Sequence, residues 1–421
     1  MRILLSAASC SPYKGSEPAV GWKVARALAE SHEVHLLVFR YHKAELVRAK
    51  AEGLVPSSMH FHYVGEDWSE QKNPLREKLQ HWQYYRAYAR EIRELARQLL
   101  QEHDFDVIQH VTFATWRTPV PLHGLGVPYV WGPVGGAERF PPALLGILSP
   151  SGFIFELVRY AANLSAYFSP SLRAAIRGAD AVIASHPEVT RLLRRIRRTD
   201  AGLHELLVTA FTQKEREALL GHGKPARAAD EPLRAFCGGL LEGRKGVSLA
   251  IRAIARAKTQ GLRIEYRVSA IGPELIHLQN LTRRLGLEKE VIFQNPLRGS
   301  AYHQALRDAD IYLLPSLRDN APITLMEAML AGCVPLVADC GGPAAIVTPA
   351  CGIIIPVTSP AAVITALAEA LLELQADRLR LQRLGEAARD RILQNYTMEH
   401  YMETTEKIYQ SILTAFSTSR M

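Results

Sequence analysis

The sequence predicts an α/β protein made of two doubly wound parallel-sheet (Rossmann-like) domains. Three observations carry this reading. Short buried-looking apolar runs alternate with helical stretches through residues 3–185, and the same rhythm restarts at residue 233. Between the two series lies QKEREALLGHGKPARAADEP, a polar and turn-rich segment at 213–232. The length of 421 residues suits two or three domains. The expected division is 1–215, then 216–395, with a terminal helix at 396–421.

In chain order, residues 3–9 form a first strand that runs into the loop Ser11–Glu17, and a helix follows at 18–31. The opening MRILLSAASC has one arginine and an apolar core of about five residues, short of the roughly 7–15 of a signal peptide. It reads as a core strand. EVHLLVF at 33–39 is the next strand. The loop between them holds no GxGxxG, so a dinucleotide site is not supported. Residues 75–103 form a long helix in which Trp82, Tyr84, Tyr85, Arg86, Tyr88 and Arg90 make either a membrane-surface face or an ordinary packing face. Strands follow at 106–111, 127–131 and 179–185, with the turn Gly132–Gly136 after the second. His110 ends the first of these, where a parallel sheet places its chemistry.

The helix opened by Pro187 carries five arginines, and Arg191, Arg194, Arg195 and Arg198 share one face. An anionic membrane surface, an acidic partner or simple solubility would each account for them. No recognition motif accompanies the patch, which argues against nucleic acid. The net charge is +8, most of it in the first half of the chain. Five cysteines stand without a CxxC pair, which fits reduced thiols in a cytoplasmic protein. No apolar run approaches the roughly 20 residues of a spanning helix, so a soluble or peripheral protein is expected.

In the second half, strands at 233–237, 264–271 and 291–293 alternate with helices at 247–258, 274–286 and 300–307. Gly238 to Gly246 (GGLLEGRKG) separates the first strand from its helix, and Arg244-Lys245 at a helix start suits a diphosphate. The plain alternative is an exposed basic turn. The stretch YLLPSLRDNAPITLMEAMLAGCVPLVADCGGPAAIV at 312–347 then reads strand, loop, helix, strand, loop. Asp319 lies just before the 323–331 helix and Glu327 on it, so both carboxylates can face one crevice at the strand ends. Such a crevice, with free helix N–H groups, suits sugar hydroxyls and a phosphate. Gly341-Gly342-Pro343 closes the unit.

Asp319, seven residues, Glu327, then Ala-Met and Gly-Gly-Pro resemble the Glu-x7-Glu signature of family 4 glycosyltransferases, retaining enzymes of the two-domain GT-B fold. The resemblance implies two Rossmann-like domains facing across a cleft: an N-terminal acceptor domain, a C-terminal nucleotide-sugar domain and a last helix that crosses back. It departs in three places. Asp319 replaces a glutamate, Asn320-Ala321-Pro322 replaces a glycine-rich loop, and Gly239 stands where the family has an arginine. GSEPAVGW resembles the family's first loop, which carries over Gly15, with Glu17 on the acceptor side. GPVGG resembles a loop lining that side, which carries over Gly135 and Gly136. DVIQHVTFATWRTP resembles the segment that supplies a histidine beside the donor sugar, and His110 is the residue carried over.

By the same resemblance Lys245, Arg244 and the helix start at Asn320, Ala321, Ile323 and Thr324 hold the donor diphosphate. Glu327 holds the ribose, Asp319 holds the donor sugar, and His110 contacts that sugar or orients the acceptor. No Asp-x-Asp stands in a suitable position, so no metal and no cofactor beyond the nucleotide-sugar co-substrate is expected. The acceptor is a lipid-linked molecule or a saccharide, in polysaccharide or glycolipid synthesis. Two other classes fit the same residues: an epimerase or phosphorylase on this fold, and a non-enzymatic partner subunit, which Gly239 and Asp319 make conceivable.

Overall fold

A computed structural model describes residues 1–65, 74–113, 115–118, 120–207, 209–221 and 230–418, with the side chains of 74–87 excluded. Trp82, Tyr84, Tyr85 and Arg86 therefore lie outside the described side chains. Two compact units emerge. The first comprises Met1–Ala137, Ala162–Val208 and Tyr401–Met421, and the second Glu138–Ala161 and Thr209–His400. The boundary expected near residue 215 thus lies at 208–209, and residues 138–161 belong to the second unit.

The first unit holds seven parallel strands: β1 (Arg2–Ser6), β2 (Glu33–Phe39), β3 (Met59–Val64), β4 (Val107–His110), β5 (Tyr129–Val134), β6 (Ala181–Ala184) and β7 (Leu203–Glu205). Their order is β3-β2-β1-β4-β5-β6-β7. Neighbouring residues of β4 and β6 are all buried, as expected of strands covered on both faces. Gly132, Pro133 and Val134 belong to β5, so the expected turn is confined to Gly135 and Gly136, with Gly135 bridging to Thr115. Tyr88 is buried in the core and Arg90 is exposed, the pattern of a packing helix. The terminal helix Met398–Thr418 joins this unit through Tyr401 and Tyr409, both buried. Tyr409 donates to Gln109 Oε1, and Glu406 Oε1 lies 2.7 Å from His32 Nε2.

The second unit holds β8 (Leu233–Leu240), β9 (Ile264–Ile271), β10 (Val291–Gln294), β11 (Ile311–Leu313), β12 (Val334–Ala338) and β13 (Ile353–Ile355), in the order β10-β9-β8-β11-β12-β13. β8 runs through Gly238 and Gly239, which were expected in a loop, because both continue the pairing with β9. The segment expected as a linker forms the helix Gln213–Leu220, closed at its start by a capping box between Thr212 and Glu215. Residues 222–229 of that segment lie outside the described residues. Gly341-Gly342-Pro343 opens a short helix, Gly341–Ile346.

In each sheet the strand order reverses once, between β1 and β4 and between β8 and β11. Connections leave the sheet in opposite directions at such a point, which opens a crevice at the carboxyl ends of the two strands. The two groups of residues singled out in the sequence fall at these two points.

Candidate functional site

In the second unit, the loops after β8 and β11 lie side by side because glycines let their backbones approach. Gly246 has φ of 69°, and a Cβ there would lie 2.1 Å from the Pro315 carbonyl oxygen. Leu317 N–H donates to the Arg244 carbonyl at 2.8 Å, which fastens the same two loops. A third loop closes in through Gly342, whose added Cβ would lie 1.6 Å from the Asn320 carbonyl oxygen. Its N–H donates to the Asp319 carbonyl at 2.9 Å. Gly-Gly-Pro therefore shapes the Asp319 loop by close contact.

This backbone arrangement brings Lys245 to Asp319. The Lys245 ammonium donates to Asp319 Oδ2, and both side chains are largely buried. Asn320 N–H donates to Asp319 Oδ1 at 3.2 Å. Arg244 is turned partly aside: its Nε pairs with Glu242 Oε2 at 2.6 Å and its Nη1 donates to the Arg318 carbonyl at 2.8 Å. Its Nη1 remains 3.9 Å from Asp319 Oδ1. Lys245 ends a short turn, Gly243–Lys245, and the helix Val247–Lys258 starts right after it. The helix Ile323–Leu330 starts after Pro322 without a side-chain cap. The Leu325 and Met326 N–H groups donate to the Pro322 carbonyl at 3.1 and 3.3 Å, and those of Ile323 and Thr324 have no acceptor within the helix.

Glu327 lies one turn along that helix, and its Oε2 accepts a hydrogen bond from Tyr302 at 2.8 Å. Burial, followed by the Glu327 charge, pushes the Tyr302 phenol far above its usual range, so it stays a donor. Tyr312 donates to Thr324 Oγ1 at 2.7 Å, which ties the helix start to β11. Tyr302 and Tyr312 were not anticipated. Tyr302 comes from the separate helix Gly299–Asp308, and nothing in its local pattern distinguishes it from a packing residue. At the expected arginine position, Gly239 has φ of 117° and open space around it.

Two further ion pairs frame these loops. Glu156 Oε1 accepts from Arg318 Nε at 3.0 Å and Nη2 at 2.8 Å, with both side chains buried. Glu138, beside Gly341, accepts from Arg159 Nη2 at 3.2 Å. Both pairs use residues 138–161, which the sequence reading left unassigned.

In the first unit, His110 ends β4 and is fully buried. Its Nδ1 lies 2.7 Å from Ser6 Oγ, which lies 2.9 Å from the Tyr88 hydroxyl. Burial pushes the imidazole down to about 3, so it is neutral at pH 7. Glu17 starts the helix Glu17–Ala29 and accepts from the Phe113 N–H, which joins the β1 loop to the β4 loop. Gly15 is exposed in that loop, and an added Cβ would meet nothing within 4 Å. Gly136 has φ of 87° and packs on Thr115. The structure thus joins Lys245, Arg244, Asp319 and Asn320 in one unit, and Glu17 and the loop after His110 in the other.

Comparison with known proteins adds a family match over part of the chain. Residues 223–391 match the family model described as glycosyl transferases group 1. Over 120 residues the chain is 33% identical to an Escherichia coli (strain K12) protein provisionally named colanic acid biosynthesis glycosyltransferase WcaL, covering 27% of this chain and 29% of that one. The chain spans between 29% and 56% of the length of the curated relatives it matches. Among solved structures, sucrose-phosphate synthase from Thermosynechococcus elongatus superposes with TM-score 0.60 at 16% identity, over 98% of this chain and 99% of that one. Anabaena HepE in complex with UDP gives 0.58 at 15% identity, over 99% of both chains. These likenesses show the fold, two parallel-sheet domains of the GT-B class. Residues 223–391, within the second unit, are the part of the chain that matches the glycosyl transferases group 1 model, and the fold likeness extends over 98% of the chain.

Proposed function

We propose that the chain is a retaining, metal-independent glycosyltransferase. It moves a sugar from a nucleotide diphosphate sugar to an acceptor hydroxyl in polysaccharide or glycolipid synthesis. The observation that carries this is the meeting of Lys245 and Asp319 beside a helix start at the second sheet's switch point. The WcaL name, tied to colanic acid, and the UDP held by HepE support the substrate classes.

Lys245 and the N–H groups of Ile323 and Thr324 face the charge that grows on the diphosphate as it leaves. Their charge stands in for a divalent cation. Asp319 accepts hydrogen bonds from donor-sugar hydroxyls, and Glu327, held by Tyr302, accepts from the ribose. The bond from the sugar's anomeric carbon to the diphosphate oxygen breaks. A bond to the acceptor oxygen forms on the same face, and the acceptor proton passes to the departing diphosphate oxygen. Neutral His110, beside Ser6, fixes the carboxyl end of β4 in the first unit.

A lipid-linked acceptor and a peripheral location are supported by the helix Pro150–Phe168, which is turned inside out. Its charged residues, Glu156 and Arg159, pair inward. Its outward residues are Phe153, Ile154, Phe155, Leu157, Val158 and Tyr160, with Ile154 60% and Val158 63% exposed. A helix of 19 residues is about 28 Å long. An apolar face without charge suits shallow insertion into a lipid surface. Arg191, Arg194, Arg195 and Arg198 are exposed and add attraction to anionic lipid.

The test is a thermal-shift and turnover panel of UDP-, GDP- and ADP-sugars without metal, on wild type and Lys245→Ala. A shift with one nucleotide, lost in the variant and accompanied by transfer, supports the reading. Binding without transfer favours a non-catalytic subunit, and no binding sinks the donor site. Sedimentation with anionic vesicles tests the lipid contact, which Ile154→Glu with Val158→Glu should abolish. A concentration-dependent dimer lost in the same variant would assign the face to a second copy instead.

A further inference from the structure

A second cluster of chemistry-bearing groups lies at the other end of the first sheet and takes no part in sugar transfer. Glu33 and His35 are two apart on β2 and share a face, as do His60 and His62 on β3. The parallel register places His60 directly beside His35. His103, just past the helix Pro74–Glu102, brings its ring to 4.6 Å from that of His35. One sheet face thus presents three imidazoles and a carboxylate, with a fourth imidazole packed against it.

The distances are those of a donor set. Glu33 Oε1 lies 3.1 Å from His35 Nε2 and 3.9 Å from His60 Nε2. All three ligand atoms fall within 4.8 Å of one another. Tetrahedral ligands at about 2.0–2.1 Å from an ion stand roughly 3.3–3.4 Å apart. His35 already meets that spacing, and His60, with 47% of its side chain exposed, has room to close the remaining gap. Arg2 Nε holds the other carboxylate oxygen, Glu33 Oε2, at 2.9 Å, which leaves Oε1 turned toward the histidines. His35 Nδ1 lies 3.1 Å from His62 Nε2, the outer contact that fixes the ring and tautomer of a metal-binding histidine.

We propose that Glu33, His35 and His60 bind a divalent transition-metal ion of the zinc class through Oε1, Nε2 and Nε2, with the fourth position open to solvent. Two imidazoles and one carboxylate suit zinc over magnesium or calcium, which prefer all-oxygen sets. The ion joins β2 to the edge strand β3 at their amino ends, whereas His110 and the Gly15 loop lie at carboxyl ends. Its role is to clamp that edge, and the proposal stands independently of the sugar-transfer reading.

The experiment uses the full chain without a polyhistidine tag, stripped with chelator and then titrated with Zn²⁺ by calorimetry. Co²⁺ provides a visible absorption signature of a four-coordinate site. One ion per chain is expected, with a raised thermal midpoint. His60→Ala and Glu33→Gln should each weaken binding at least about tenfold and remove the Co²⁺ band, and His62→Ala should weaken it about 10–100-fold. His277→Ala, an exposed histidine elsewhere, should change nothing. His60 is exposed and Glu33→Gln keeps the side-chain shape, so both variants should fold, as circular dichroism checks. No saturable binding at unit stoichiometry, or unchanged affinity in both variants, overturns the site.

Discussion

Lys245 donates its ammonium hydrogen bond to Asp319 Oδ2, so in the free protein the cation assigned to the diphosphate is held by the carboxylate assigned to the sugar. On the proposed reading, a donor entering this site separates the pair and satisfies both groups with its own phosphate and hydroxyls. Asp319→Asn removes the competing charge and keeps the shape. Nucleotide affinity should then hold or rise, while transfer falls about 10²-fold because the sugar loses its anionic anchor. Calorimetry with the nucleoside diphosphate and initial rates with the full donor separate the two effects. A parallel loss of both would mean that Asp319 serves mainly to position Lys245.

Gly239 stands where the resemblance expects an arginine, and placing an arginine there should not help. Its φ of 117° is a backbone conformation that L side chains rarely adopt. Non-glycine residues in such regions cost about 1–3 kcal/mol. Gly239→Arg should therefore lower the thermal midpoint without raising kcat/KM. A gain in kcat/KM would show that β8 relaxes and that the missing charge limits the enzyme.

Much of this was legible in the sequence. β2 and β9 form over the expected residues, β2 as an almost continuous buried run and β9 through the alternation of buried Ile264, Tyr266 and Val268 with Glu265 and exposed Arg267. The placing of Asp319 and Lys245 on loops at strand ends was legible, and the structure brings the two side chains together. Three features were not. β3 and β7 lie at the sheet's edges, and β3 carries histidines that dilute any strand signal. Tyr302 acts from a distant helix, so only the fold brings it to Glu327. The helix Pro150–Phe168 buries its charges and exposes its apolar residues, the reverse of the pattern that marks a packing helix.

The burial of His110 makes stability fall in mild acid. Its folded-state value of about 3 lies below the ordinary 6.5, so the unfolded chain takes up the proton first. The contribution is complete above pH 6.5 and is lost progressively as pH falls toward 3. Glu399, lowered to about 2 by Arg216, loses its contribution only below its ordinary 4.5. Thermal midpoints measured from pH 7.5 to 4.5 should decline less steeply in His110→Gln than in wild type. Equal slopes would mean that His110 is solvated.

Glu156 and Arg318 supply the last prediction, since their buried pair holds the inverted helix through its polar stripe. Removing one partner leaves a charge without water or a counter-ion, which costs about 3–5 kcal/mol in comparable sites. Glu156→Ala and Arg318→Ala should each lower stability by that order. Glu156→Leu combined with Arg318→Met should recover most of it, because no charge is then stranded. Denaturant unfolding of these proteins, with the Glu156→Ala/Arg318→Ala double variant closing the cycle, gives the coupling. If the single variants cost nothing, the pair is open to water and the helix is held by other contacts. If they cost the full amount and also abolish vesicle binding, the pair is what keeps the apolar residues facing outward.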